Sequence, residues 1–255
     1  MAIDWGDGDY ARTAEALRPA AARLVAAAGV GEGDRVLDVA CGTGNVALAA
    51  VAAGGRATGV DASPGLVEIA ARRAAEAGAD ARFMVGDAGE LPLPAGGFDA
   101  ALSCFGVIFH PDPERAVGEM LRAVRRGGVI ALTGWIEAGP ITAAGRILRD
   151  AMPGDGGRRP AWGDREWVGR LLAAAGARGV RIEEAALTFE ADSPAAWFEE
   201  QVRHHPVWRF ARRLLDDDAW DDVRERSVAA LAEGNEDDRR FRGTSGYLVI
   251  RAEAP

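Results

Sequence analysis

Three acidic residues stand where a chain of this pattern could turn them on a ligand. Asp38 lies in the short apolar run 35–40, just ahead of Gly42 and Gly44; Asp61 follows a second such run, and Asp87 follows a third, in Gly86-Asp87-Ala88. A carboxylate at a second strand end can accept hydrogen bonds from ribose hydroxyls, and a polar group at the third can meet the amino group of an adenine. The glycines allow a tight turn and close approach of backbone to ligand. Gly42-x-Gly44-x-x-Ala47 also satisfies a loose dinucleotide pattern, so spacing alone does not choose between a nicotinamide cofactor and adenosylmethionine. The acid ahead of the glycines and the Asp87-Ala88 position favour adenosylmethionine, with turn or helix capping the plain alternative for any single Asp.

The chain has three histidines, His110, His204 and His205. An unperturbed imidazole, with a pKa of about 6.5, suits proton removal at neutral pH. His110 follows the fourth apolar run, 98–104, and is the expected general base; its plain alternative is to shape the loop before Asp112. His204 and His205 fall with Trp197, Gln201 and Trp208 on a helical stretch begun at Pro194, which Pro206 interrupts. That stripe could wall an acceptor pocket or be simple core. No His, Asp and Glu stand at metal-ligand spacing, so no metal is expected.

The elements that must hold these residues alternate. Helical periodicity covers 10–28, and strand, glycine turn and helix follow from Arg35 through Ala53. The alternation continues with strand 57–60, helix 64–77, strands 82–85 and 98–104, helix 113–125 and strand 129–133. Ser63-Pro64 and Asp112-Pro113 each set a capping side chain before a proline suited to the first helical turn. Residues 136–160, broken by Gly and Pro, predict an excursion over the ligand edge of the sheet. Helix 164–175, strand 180–189, helices within 194–240 and a closing strand at 247–250 complete the pattern. Such alternation predicts an α/β, mostly parallel sheet with helices on both faces. The whole of 1–255 reads as one domain, with cap elements from 1–30, 136–163 and 190–240.

Composition narrows the rest. With 255 residues, 48% hydrophobic and 27% charged, the chain can bury an ordinary globular core. Its net charge is −9, and its cations, all Arg, are interspersed with acids, which argues against a nucleic-acid partner. Two cysteines, no signal-peptide pattern and no long apolar stretch predict a cytoplasmic protein without membrane insertion.

VLDVACGTGNVALAA, TGVDASP, GDAGELPLP, FDAALSCFGVIFHPDPERAVGEMLRAVRRGG and WGDREWVGRLLAAAG together resemble the class I adenosylmethionine-dependent methyltransferases akin to those of ubiquinone and menaquinone biosynthesis. The likeness runs from GDGDY to the last apolar run. It implies a Rossmann-like seven-stranded sheet whose last strand is antiparallel, a helical acceptor-binding cap, and methyl transfer to an O, N or C atom of a small, largely apolar metabolite. By resemblance, Asp38, Ala40, Gly42 and Gly44 line the methionine end, Asp61 binds the ribose, and Ala62 lies against the adenine. Asp87 and Ala88 address the adenine edge, Ser103 sits beside the sulfonium, and Tyr10 lies over the pocket. Arg126 departs from the family, which usually has proline before the two glycines. The rival readings are a nicotinamide-dependent Rossmann oxidoreductase and an adenosylmethionine-binding protein that transfers no methyl.

Overall fold

The computed structural model describes residues 3, 5–7, 10–153 and 160–255. They fall into two compact units, each assembled from separated stretches of chain. One comprises 17–134, 160–184 and 248–255; the other takes the described residues of 1–16, 135–159 and 185–247.

The chain runs α1 (Tyr10–Ala28), β1 (Arg35–Val39), α2 (Asn45–Ala52), β2 (Arg56–Asp61), α3 (Pro64–Glu76), β3 (Ala81–Val85) and β4 (Phe98–Ser103). A short 3-10 turn at Val107–Phe109 leads to α4 (Pro113–Ala123), β5 (Val124–Trp135), α5 (Pro140–Ala151), α6 (Arg165–Ala174) and β6 (Arg178–Ala191). Then come α7 (Pro194–His204), α8 (Pro206–Leu214), α9 (Asp217–Glu233) and β7 (Phe241–Glu253). The seven strands form one sheet in the order β3-β2-β1-β4-β5-β7-β6.

β1 pairs in parallel with β2 (Asp38 opposite Gly59) and with β4, while β2–β3 and β4–β5 are parallel too. Val36, Leu37 and Val39 are wholly buried, as a strand covered on both faces requires. β7 is antiparallel to β5, since the Gly127 amide donates to the Ala254 carbonyl while that of Ile136 donates to Gly246. The expected seven-stranded, mostly parallel α/β sheet is therefore present.

The predicted capping residues do their work. Ser63 accepts the Leu66 amide at the start of α3 and Asp112 that of Arg115 before α4. α4 ends at Ala123, two residues short of expectation, because Gly127 takes a left-handed φ of 68° and Gly128 lies against the carbonyls of Asp99 and Arg125. A side chain at Gly128 would meet those oxygens at 2.9 and 2.8 Å, so the extended backbone starts early.

In the second unit, Ala144 and Leu148 of α5 pack with Trp197 and Phe198 of α7, Trp208 of α8, Trp220 and Leu231 of α9, and Phe241. Trp197 and Trp208 are thus core residues, and Pro206 does divide the helices. Of the predicted 136–160 excursion, 140–151 is helical and 154–159 lies outside the described residues, as do Gly8 and Asp9 of GDGDY. Among the described residues, no helix is long and apolar enough to cross a membrane.

Candidate functional site

In an open parallel sheet, ligands meet the carboxyl ends of the strands where the strand order reverses, here between β1 and β4. The chain bends sharply at both of those ends. Ala40 has φ 53°, followed by Gly42 at 53° and Gly44 at 84°, and Phe105 after β4 has φ 54°. A left-handed alanine and a left-handed phenylalanine, each costing on the order of 1–3 kcal/mol, need a surrounding structure that overdetermines them. Gly106 supplies part of it: a Cβ there would stand 2.6 Å from the Ala40 Cβ, so the two loops touch through a glycine.

Asp61 joins the ends of β1 and β2. Its Oδ2 accepts the Gly42 amide at 2.8 Å and its Oδ1 the Ser63 amide at 2.9 Å, leaving each oxygen one further acceptor direction. Burial raises its pKa above the ordinary carboxylate value against those two amides. Asp38 is buried deeper and acts from behind the turn. Its Oδ2 accepts the Ala47 amide at 3.0 Å, satisfying an orphan donor in the first turn of α2, whose N-cap, Gly44, has no side chain to do so.

Ser103 is wholly buried. Its hydroxyl donates to the Val39 carbonyl at 2.7 Å and accepts the Val107 amide at 3.0 Å. It braces β4 against β1 from within the sheet. At Gly44 an added side chain would strike the Phe83 ring at 3.1 Å and the Ala70 Cβ at 3.3 Å, so the turn needs a glycine there. Ala40 and Gly42 are partly exposed and Ala62 is exposed, so these remain accessible.

Asp87 and His110 come together. Asp87 Oδ1 accepts the Gly89 amide at 2.6 Å and lies 3.1 Å from His110 Nε2, and these contacts, the amide first, hold its pKa below the usual value. His110 Nδ1 lies 2.7 Å from the Asp112 carbonyl oxygen and 3.1 Å from the Asp112 amide. Both ring nitrogens are therefore engaged. His110 thereby links the loops after β3 and β4. Arg115 Nε donates to the Gly89 carbonyl at 2.6 Å and Glu119 accepts the Leu91 amide at 2.8 Å, fastening Asp87-Ala88 to α4.

Tyr10 belongs to the other unit. Its ring meets Trp5 and His205 edge-on, with centroids 6.1 and 6.3 Å away.

Sequence reasoning missed several residues. Arg73 of α3 reaches the glycine turn, its Nη1 donating to the Thr43 carbonyl at 2.5 Å, the Thr43 hydroxyl at 2.8 Å and Asn45 Oδ1 at 3.1 Å. Thr133, wholly buried in β5, accepts the Phe105 amide at 2.9 Å and so holds that left-handed residue. A single hydroxyl in the apolar run of β5 was its signal. Nothing in the sequence around Phe105 marks its backbone.

This sheet order and edge define a Rossmann-like α/β fold class. Residues 36–128 match the methyltransferase domain family. The uncharacterized protein Rv1403c of Mycobacterium tuberculosis is 40% identical over 172 residues, 66% of this chain and 63% of that protein. The chain therefore spans somewhat less than two thirds of that relative's length. The demethylmenaquinone methyltransferase of Thermus thermophilus is 42% identical over 96 residues, 37% of this chain and 44% of that enzyme. The crystal structure of YcgJ from Bacillus subtilis matches the fold with a TM-score of 0.65 at 20% identity, covering 92% of this chain and 97% of that one. Residues 36–128 thus match a methyltransferase domain, and the chain is similar in part to a quinone-biosynthesis methyltransferase.

Proposed function

We propose that this chain transfers the methyl group of adenosylmethionine to an oxygen, nitrogen or carbon atom of a small, largely apolar metabolite. The observation that carries the reading is Asp61, a carboxylate pinned by two backbone amides at the end of β2 with one acceptor direction left on each oxygen. Two adjacent ribose hydroxyls need such a pair of acceptors. The left-handed Ala40 and Gly42 beside it leave backbone accessible for the methionine portion. Exposed Ala62 offers an apolar contact for adenine, and Asp87 with Ala88 a polar edge, in a loop that His110 and Arg115 hold still. Asp38 and Ser103 keep the turn in shape from inside.

Bound there, adenosylmethionine supplies a methyl group already activated by its sulfonium. What the residues must add is alignment of the acceptor and exclusion of water, worth on the order of 7–11 kcal/mol in favourable models. With both His110 nitrogens engaged, no side chain named here is needed as a base for an acceptor that is itself nucleophilic.

Calorimetry with adenosylmethionine, adenosylhomocysteine and NADH tests the assignment. The parent should bind the first two, and Asp61→Ala should weaken both by about 10- to 100-fold, the loss of hydrogen bonds to a charged acceptor. Tight NADH binding, or unchanged affinity in a variant that circular dichroism finds folded, would overturn it.

A further inference from the structure

Ala40, Gly42 and Gly44 of the glycine turn all have left-handed backbone. Glycine enters that conformation freely and leaves it as freely, so the shape of the turn has to be held by its neighbours. On the strand side the amides are held: that of Gly44 donates to the Cys41 carbonyl at 2.9 Å, and those of Gly42 and Ala47 donate to Asp61 and Asp38. The Thr43 carbonyl, the Thr43 hydroxyl and the Asn45 side chain are held from another element, α3.

The residues on either side of Gly44 share one guanidinium. Arg73 Nη1 donates to the Thr43 carbonyl at 2.5 Å, to the Thr43 hydroxyl at 2.8 Å and to Asn45 Oδ1 at 3.1 Å, and Nη2 donates to the same Asn45 oxygen at 3.1 Å. Gly44 itself is closed in by the Phe83 ring and by Ala70, which stands three residues before Arg73 on one face of α3. Arg73 lies in the last turn of α3, where the negative end of the helix dipole favours a cation, so the helix stabilises the charge where the turn uses it. A planar fork fixes Thr43 and Asn45 relative to each other, which the single ammonium of a lysine cannot do.

We infer that Arg73 is a positioning residue for adenosylmethionine: by tying Thr43 and Asn45 to the end of α3, it keeps the turn 42–45 in its ligand-accepting shape before the cofactor arrives. It acts through the turn and not by touching the cofactor. This rests on the assignment of adenosylmethionine to the edge formed by Asp61 and the glycine turn. A turn already formed in the free protein removes an ordering cost from binding, and a turn formed in only a fraction of molecules lowers the apparent affinity by that fraction.

The test uses the full chain, with adenosylhomocysteine as the probe. Arg73→Met keeps much of the side chain's length without its donors, and should weaken binding about 5- to 30-fold, with the loss in the association rate and the dissociation rate unchanged. In the ligand-free variant, NMR should find the Gly44 amide exchanging with solvent about 10-fold faster than in the parent, while far-ultraviolet circular dichroism stays the same. Asn45→Ala removes one of the acceptors. It should weaken binding about 2- to 5-fold in the parent and have no further effect in the Arg73→Met background, because both substitutions undo the same tie. Unchanged affinity in Arg73→Met, a loss carried by the dissociation rate, unchanged exchange of Gly44, or losses that add in the double variant would each overturn the positioning role. Should Arg73→Met fail to fold, Asn45→Ala alone decides: binding and Gly44 exchange both equal to the parent's would refute it. A parent that does not bind adenosylhomocysteine overturns the cofactor assignment itself, whereas a parent that binds it, with Arg73→Met binding equally well, overturns the role of Arg73 alone.

Discussion

His110 shows how a residue of the right type at the right place in the chain can be given another task by its neighbours. In a neutral ring, Nε2–H donates to Asp87 and Nδ1 accepts from the Asp112 amide; in a protonated ring, both nitrogens donate. Neither form leaves a lone pair for an acceptor's proton. His110→Ala should therefore loosen the Asp87 loop, weakening adenosylmethionine binding about 2- to 10-fold, a modest loss because the Asp87 side chain is 65% exposed. The pH profile of turnover should keep its shape. A turnover loss of about 10²-fold or more with unchanged affinity and a vanished limb of the profile would restore the base. The site's residue types were legible because Asp, Gly and His at strand ends announce themselves. Their roles were less so: Asp38 and Ser103 turn inward, and only the partners of each oxygen reveal that.

At the level of elements, one aromatic ring couples three pieces of the cofactor edge. Phe83 of β3 lies over Gly59 of β2 and Gly44 of the glycine turn. A Cβ added at Gly59 would stand 2.5 Å from Phe83 Cδ1 and 2.9 Å from Cys41 Sγ. Gly59→Ala should thus cost about 1–3 kcal/mol by overpacking, read as a lowered urea midpoint with unchanged slope. Adding Phe83→Leu, which removes the struck ring, should recover part of the loss; a double variant as unstable as the sum of the singles would refute the contact. A glycine inside a strand hinted at such close approach, though not at its partner. Strand and helix order could be read from periodicity and caps, whereas extents could not. β5 begins at Val124 rather than Val129 because its first residues, Arg125 to Gly128, carry no alternation and follow from backbone contacts with Asp99. β7 runs from Phe241 to Glu253, well beyond the apolar stretch 247–250 that signalled it.

Across the whole molecule, the division into two units was hidden from a linear reading, since each gathers three separated stretches and the boundary falls within α1, β5, β6 and β7. What composition does not convey, titration can. Burial raises the Asp38 pKa from 3.8 to about 8, outweighing the Ala47 amide that favours its charged form, and the nearby charge of Asp61 pushes the same way. Between those values the folded chain holds a proton that the unfolded chain has released, so stability must fall as pH rises. His205, depressed from 6.5 to about 4, has the opposite sign: its contribution is present above 6.5 and lost as pH falls through 4. Above pH 7 it is neutral folded and largely neutral unfolded, which leaves the buried carboxyls to set the trend. From pH 7 to 8 the unit that holds Asp38 should lose close to about 1 kcal/mol per pH unit from this group. Asp38→Asn keeps an oxygen for the Ala47 amide and cannot ionise, so its urea midpoint should fall less steeply over that range, with a residual slope from Asp61, whose pKa is also raised. Parallel slopes for parent and variant would mean that Asp38 is ionised in the folded protein and that the glycine turn is held by a charge.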